Sequence, residues 1–174
     1  MSNKEIKLRR IDHVRFFVGN ARQSAYFYRN AFGFDVIAYG GLETGLKHEA
    51  GYVARQGDIT FVLASPLSKD HPENNRLLLH GDGVQDIALE VDDRDEWLRA
   101  LADLTRKGVE IVQGPLIHGP EGGPGAGRNF GGSGSRSFYF EDPDGNRLEI
   151  YTDMMKVPEG EQFPRAEYAE VFKK

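Results

Sequence analysis

The chain has 174 residues, of which 39% are hydrophobic and 28% charged, and its formal net charge is −5 at pH 7. This composition is ordinary for a globular protein, and an acidic chain without a basic stripe argues against nucleic acid as a partner. No apolar run approaches the length of a membrane span and residues 1–7 are polar, so we expect a cytoplasmic protein without a membrane partner. Because the sequence has no cysteine, any metal must be held by His, Asp or Glu.

The first block of the chain has the pattern β-α-β-β-β. Residues 11–18 (IDHVRFFV) are rich in β-formers, and Asn20 with Gln23 three positions later is typical of a helix start. A helix is therefore predicted over residues 21–32, with Gly33 closing it. Short β-rich runs predict three further strands: residues 34–39, 51–55 and 58–65.

A second block, which follows a polar loop over residues 66–75, repeats the first. Residues 85–93 (QDIALEVDD) can be laid on residues 12–20 (DHVRFFVGN), and a helix is predicted directly after each run. The stretch SFYFEDPDGNRLEIYT at residues 137–152 predicts two strands joined by a tight turn, the same form as residues 52–62. A repeat of this length indicates two copies of one structural module.

The repeat predicts an α+β fold in which two paired βαβββ modules form one curved eight-stranded mixed sheet with helices outside. A glycine-rich insertion at 119–137 is interpreted as an active-site lid or a slack loop, and a phosphate-binding loop is disfavoured because no GKS or GKT motif follows it. The predicted segments are 8–66 for the first module, 67–83 for the inter-module loop, 84–153 for the second module and 154–174 for a C-terminal tail.

Aligning the two modules also suggests a metal site. The alignment sets His13 opposite Asp86 on the two first strands, and Phe61 opposite Glu149 on the two last strands. His13, Asp86 and Glu149 can ligate a divalent metal, and one imidazole with two carboxylates leaves positions open for substrate and water. Glu149 lies in an apolar strand, where it needs a cation, a metal or water if it is buried and nothing special if its face is exposed.

The sequence resembles the vicinal oxygen chelate superfamily, whose members contain paired β-α-β-β-β modules. Residues 11–93, with FFVGNARQSAYFY, AYGGLETG, FVLASPL and HGDGVQDIALEVDD, look like the N-terminal half of 4-hydroxyphenylpyruvate dioxygenases. Residues 108–153, with GVEIVQGP, an IHGP run and YFEDPDGNRLEIYTDM, look like the catalytic half of extradiol catechol dioxygenases.

The extradiol resemblance implies metal ligands at His13 and Glu149, an acid/base histidine at His118 and a further active-site residue at Tyr139. Asp86 departs from that pattern, which has a histidine there. The hydroxyphenylpyruvate resemblance implies an aspartate at this position that does not hold iron, so a structural role for Asp86 stays open.

The first functional hypothesis is a metal-dependent dioxygenase acting on a small aromatic substrate, either a catechol or an aryl 2-oxo acid. His13, Asp86 and Glu149 would hold a divalent metal, with Fe(II) favoured and Mn(II) as the second choice. His118 would act as acid/base, and Tyr139 would stabilise charge that develops on oxygen.

Two alternatives keep the same fold. One is a metal-free small-molecule-binding protein whose aromatic pocket is lined by Phe17, Tyr39, Phe61 and Tyr139. The other is a glyoxalase-type lyase or isomerase, which would need a fourth ligand where this chain has Phe61. A short amphipathic segment at residues 166–172 predicts packing on the sheet or on a second subunit, and we expect a homodimer.

Overall fold

The computed structural model describes residues 5–117 and 136–152 of the chain. The described residues form eight strands, three α-helices and a short 3-10 turn. Their bounds are β1 (Leu8–Phe17), α1 (Ala21–Phe32), β2 (Asp35–Gly40), the 3-10 turn (Leu42–Thr44), β3 (Glu49–Gln56), β4 (Ile59–Pro66), α2 (Asn74–His80), β5 (Gly83–Val91), α3 (Arg94–Arg106), β6 (Ile111–Ile117), β7 (Arg136–Glu141) and β8 (Arg147–Thr152). None of these helices is long and apolar enough to cross a membrane.

The strands belong to one mixed sheet in the order β2-β3-β4-β1-β5-β8-β7-β6. β1 runs parallel to β4, whereas β2–β3, β3–β4, β6–β7 and β7–β8 are antiparallel pairs. This architecture confirms the predicted α+β fold with an eight-stranded mixed sheet. The predicted segment boundaries along the chain stay a prediction.

Residues 11–88 form one compact unit, in which α1 covers an apolar sheet face. The helix begins where Asn20 accepts a hydrogen bond from the Gln23 backbone N–H at 3.0 Å, and it ends at Gly33, whose φ of 76° favours glycine. The core of this unit consists of small and apolar side chains: Val18, Ala21, Ala25, Phe34, Ala54 and Leu63. The predicted helix over residues 21–32 is confirmed.

α2 was not predicted from the sequence, which indicated a polar loop over residues 66–75 and assigned residues 67–83 to an inter-module loop. The helix begins at Asn74, inside that loop, and continues through three consecutive leucines. Because the leucines are consecutive, the segment lacks the apolar spacing of three and four residues that marks an amphipathic helix. Leu78 and Leu79 are exposed.

The second compact unit contains residues 1–10 and 89–174, of which the structure describes 5–10, 89–117 and 136–152. The Asp93 side chain caps α3 by accepting from the Glu96 backbone N–H at 2.8 Å. Trp97 is fully buried and meets Phe138 edge-on, with ring centroids 5.6 Å apart. Trp97 therefore belongs to the core of this unit.

Candidate metal centre

The two faces of β1 have different neighbours. The Phe16 ring packs against Phe61 of β4 and Tyr28 of α1, with centroid distances of 5.1 and 6.2 Å. Because side chains alternate along a strand, His13, Arg15 and Phe17 lie on the face opposite that helix. This face therefore carries the first predicted metal ligand.

His13 is mostly buried and is held by its neighbour in sequence. Its Nδ1 lies 2.9 Å from Oδ2 of Asp12. A proton on Nδ1, donated to Asp12, leaves Nε2 as the nitrogen with a lone pair for a metal. A carboxylate that orients an imidazole in this way is a common partner of metal-ligating histidines.

Asp86 and Glu149 are both buried, with 3% and 2% of their surfaces exposed. Together with His13 they form the group of three metal-ligating side chains found among the described residues, and one ligand atom of each lies within 4.8 Å of the other two. Two carboxylates this close repel each other, and burial adds a desolvation cost to each charge. A divalent cation would offset both effects, so this donor set fits a hard or borderline metal.

Tyr139 lies directly opposite Glu149 in the antiparallel pairing of β7 with β8. Directly opposed residues share a sheet face, so the half-buried Tyr139 side chain lies on the same face as the Glu149 side chain. His118 lies outside the described residues, as do residues 119–135 of the glycine-rich insertion and the whole of the segment 166–172.

The aromatic residues predicted to line a pocket have different neighbours. Phe17 is buried and stacks on His71 at 5.0 Å, whereas Tyr39 is 40% exposed and donates a hydrogen bond from its hydroxyl to Oε2 of Glu43 at 2.7 Å. That bond raises the pKa of Tyr39 and lowers the pKa of Glu43. As lining residues of one pocket they stay a prediction.

The repeat alignment set Phe61 in a slot equivalent to Glu149, but its ring packs on the α1 side of the sheet. It stacks on Phe34 at 4.9 Å and meets Tyr28 edge-on at 5.2 Å. A shift of one residue in register moves a strand side chain to the opposite face, which accounts for the difference. A role for Phe61 in substrate binding stays a prediction.

A polar network on the face of β1 that carries His13 was missed. Arg15 donates from Nη2 to Oε1 of Glu49 at 2.6 Å and from Nε to Oε1 of Gln85 at 2.7 Å. The His71 side chain is only 10% exposed, with Nε2 3.5 Å from Oε2 of Glu49. The one sequence signal for this network was the position of Arg15 two residues after His13.

Solved structures with the same fold include enzymes of different chemistry. A variant of methylmalonyl-CoA epimerase from Streptomyces coelicolor matches with a TM-score of 0.63 and 24% identity, covering 86% of this chain and 100% of its own. A variant of 4-hydroxymandelate synthase from the same organism matches with a TM-score of 0.65 and 24% identity, covering 91% of this chain and 45% of its own. At this identity the likeness shows the fold alone.

Curated relatives share more sequence with the chain. It is 46% identical over 118 residues to 4-hydroxyphenylpyruvate dioxygenase of Aspergillus fumigatus, covering 60% of this chain and 28% of the relative. It is 52% identical over 102 residues to the same enzyme of Caenorhabditis elegans, covering 58% of this chain and 25% of the relative. The chain thus spans about a quarter of the length of these relatives.

These matches confirm the predicted resemblance to 4-hydroxyphenylpyruvate dioxygenases, while the likeness of residues 108–153 to extradiol enzymes stays a prediction. The family model for the Glyoxalase/Bleomycin resistance protein/Dioxygenase superfamily matches residues 10–150, and the chain belongs to this superfamily.

Proposed function

We propose that the chain acts as a metal-dependent dioxygenase on a small aromatic substrate, with an aryl 2-oxo acid favoured over a catechol. The observation that carries the proposal is the group of one imidazole and two buried carboxylates whose ligand atoms lie within 4.8 Å of one another. The named relatives support the reaction class, because 4-hydroxyphenylpyruvate is itself an aryl 2-oxo acid.

In this proposal His13, Asp86 and Glu149 hold Fe(II), with Mn(II) as the alternative. A bound ion of this kind supplies Lewis acidity and, for iron, redox chemistry. Nitrogen and oxygen donors suit both ions, and three protein ligands leave coordination positions for substrate. Asp12 supports the site by fixing the His13 ring through its Nδ1.

In this proposal Tyr139 and His118 stabilise negative charge and transfer protons. Tyr139, opposite Glu149 in the sheet, is suited to donate a hydrogen bond to an oxygen that gains negative charge during the reaction. His118 serves as the general acid/base. The proposal also includes a homodimer in the cytoplasm, which sedimentation of the purified protein and fractionation of cells would test.

A metal-free binding protein is the second candidate. The observation that favours it is Asp86, which stands where the extradiol pattern has a histidine and lowers the number of nitrogen ligands to one. The two candidates differ in whether aryl ligands need the metal in order to bind.

The test is oxygen consumption by protein loaded anaerobically with Fe(II), with metal content measured on the same sample. We expect uptake with phenylpyruvate or 4-hydroxyphenylpyruvate, its loss in His13→Ala, and its retention in His48→Ala, which removes an exposed histidine of the same unit. If iron is fully bound and neither 2-oxo acids nor catechols consume oxygen, the dioxygenase proposal is wrong. Aryl ligands that bind equally well with a chelator present would favour the binding protein.

A further inference from the structure

A second concave site lies within residues 11–88, in a cavity of about 470 Å³. It is lined by the first turns of α1, the end of β1, Leu63 of β4 and the start of β5. The volume falls in the range of small-molecule sites. Three aromatic side chains form part of the wall: Phe16, Phe27 and Tyr28.

This cavity is distinct from the candidate metal centre. Phe16 of β1 lines it, as does Val18 directly after the strand, and along β1 Phe16 alternates with His13, Arg15 and Phe17. The cavity therefore opens on the α1 side of the sheet, opposite the face that carries His13. A ligand here would not contact the proposed metal ligands of this unit.

The apolar lining of the cavity is partly buried and partly exposed. Leu63 is fully buried at the floor, but Phe27 is 55% exposed although it is a large aromatic ring. An aromatic ring held beside an open cavity offers a face for another ring or for a cation.

The residues that line the cavity carry one negative charge, which favours a cationic ligand over an anionic one. Asp82 is the one charged residue among those that line the cavity. Its Oδ1 accepts a hydrogen bond from the Gly19 backbone N–H at 2.8 Å, which fixes the carboxylate beside the cavity.

The positive end of the α1 dipole would favour an anion, but this end already has two acceptors. Asn20 accepts from the Gln23 N–H, and Asp82 accepts from the Gly19 N–H. The full charge on Asp82 outweighs the partial charge of a helix terminus of roughly half a unit. A second anion would be repelled, whereas a cation would be attracted.

We propose that this cavity binds a small aromatic amine in its protonated form. The ring packs against Phe16, Phe27 and Tyr28, and the ammonium pairs with the Asp82 carboxylate. Cation–π attraction from the exposed Phe27 ring adds to the ion pair. The polar side chains of Gln23 and Ser24 at the helix start complete the hydrogen-bonding surroundings.

The experiment compares three ligands of matched shape: 2-phenylethylammonium, 2-phenylethanol and 3-phenylpropionate. Each is titrated into ¹⁵N-labelled protein with a chelator present, so the result is independent of the proposed dioxygenase function. The amine should bind about tenfold more tightly than the alcohol, because it adds an ion pair and a cation–π contact, and the carboxylate should bind most weakly. Chemical-shift changes should centre on Gly19, Ser24 and Gly83, and added salt should weaken only the amine.

Asp82→Asn tests the charge alone, since the amide oxygen can still accept from Gly19. It should reduce the affinity for the amine to that for the alcohol, whereas Asp58→Asn, which removes an exposed carboxylate from the β3–β4 turn, should leave the preference intact. Gly83→Leu tests the space, because a Cβ at Gly83 would meet no atom within 4 Å, and it should block all three ligands.

Three results would overturn the proposal: equal affinity for amine and alcohol, an unchanged amine preference in Asp82→Asn, or shift changes confined to residues away from the lining residues and from Gly19, which is bonded to Asp82. The comparison of amine with alcohol uses the wild-type protein, and Asp82→Asn does not change the core. These two measurements therefore test the proposal even if Gly83→Leu does not fold.

Discussion

Replacing Glu149 with glutamine should reduce the stabilisation of the protein by a bound metal ion. A metal present at 100 times its dissociation constant stabilises a folded protein by about 2.7 kcal/mol. For a chain of this size 1 kcal/mol corresponds to about 2–4 °C in Tm, so Mn(II) should raise the Tm of the wild type by about 5–11 °C. Losing an anionic ligand should weaken binding by about 100-fold, which leaves about 0.4 kcal/mol and a shift of about 1–2 °C at the same metal concentration.

The assay is thermal unfolding followed by circular dichroism, with and without Mn(II), which resists oxidation during heating better than Fe(II). The matched control is Glu141→Gln, because Glu141 belongs to the same β7–β8 hairpin but is exposed. It should keep the full metal-induced shift. A full shift in Glu149→Gln, or an equal loss in both variants, would refute the role of Glu149 as a ligand.

Three further predictions concern other described residues. Asp86→His, which restores the histidine of the extradiol pattern, should tighten Fe(II) binding in a competition titration, and no gain would mean that Asp86 is not a ligand. Trp97→Ala should lower the free energy of unfolding in urea by about 3–5 kcal/mol, because it removes a fully buried ring; a loss below about 1 kcal/mol would contradict its core position. Tyr39→Phe should raise the pKa of Glu43 toward its ordinary value, since the Tyr39 hydroxyl lowers it, and an NMR pH titration of the carboxylate measures this. Because the folded pKa of Glu43 is the lowered one, the bond favours folding above the ordinary pKa of a glutamate and loses that effect as pH falls, and a titration unchanged by the substitution would contradict it.

Elements set by local interactions could be predicted from the sequence. Asn20 caps α1, and Gly33 ends it, because these residues satisfy backbone groups within a few positions of themselves. α2 escaped prediction because its leucines are consecutive and exposed, so no apolar period marks it. The turn after Asp142 was also predicted from the sequence. In the structure Gly145 takes a positive φ of 82°, and the Asp142 side chain accepts hydrogen bonds from the backbone N–H groups of Asp144 and Asn146.

Contacts between distant positions could not be predicted in the same way. The face that Phe61 occupies depends on the pairing of β4 with β1, where Val14 lies beside Phe61, and a single step of register reverses the face. The His71 ring stacks on Phe17, more than fifty positions earlier, and a polar loop sequence contains no sign of that contact.

The candidate metal ligands lie between these two cases. The repeat alignment selected His13 and Asp86 at equivalent positions of the two first strands and Glu149 on a last strand, although Phe61, the counterpart of Glu149 in that alignment, packs on the α1 side of the sheet. The sequence left open whether Glu149 is exposed, because the alternating pattern of the strand does not show which face is buried. In the structure only 2% of the Glu149 surface is exposed. The charge of a buried carboxylate beside another carboxylate can be balanced by a metal ion, by a basic side chain or by protons, and a bound metal ion makes the stability of the protein depend on metal concentration. Comparing the metal-induced rise in Tm of Glu149→Gln with that of the wild type therefore tests whether the buried Glu149 carboxylate binds a metal, which the sequence alone left open.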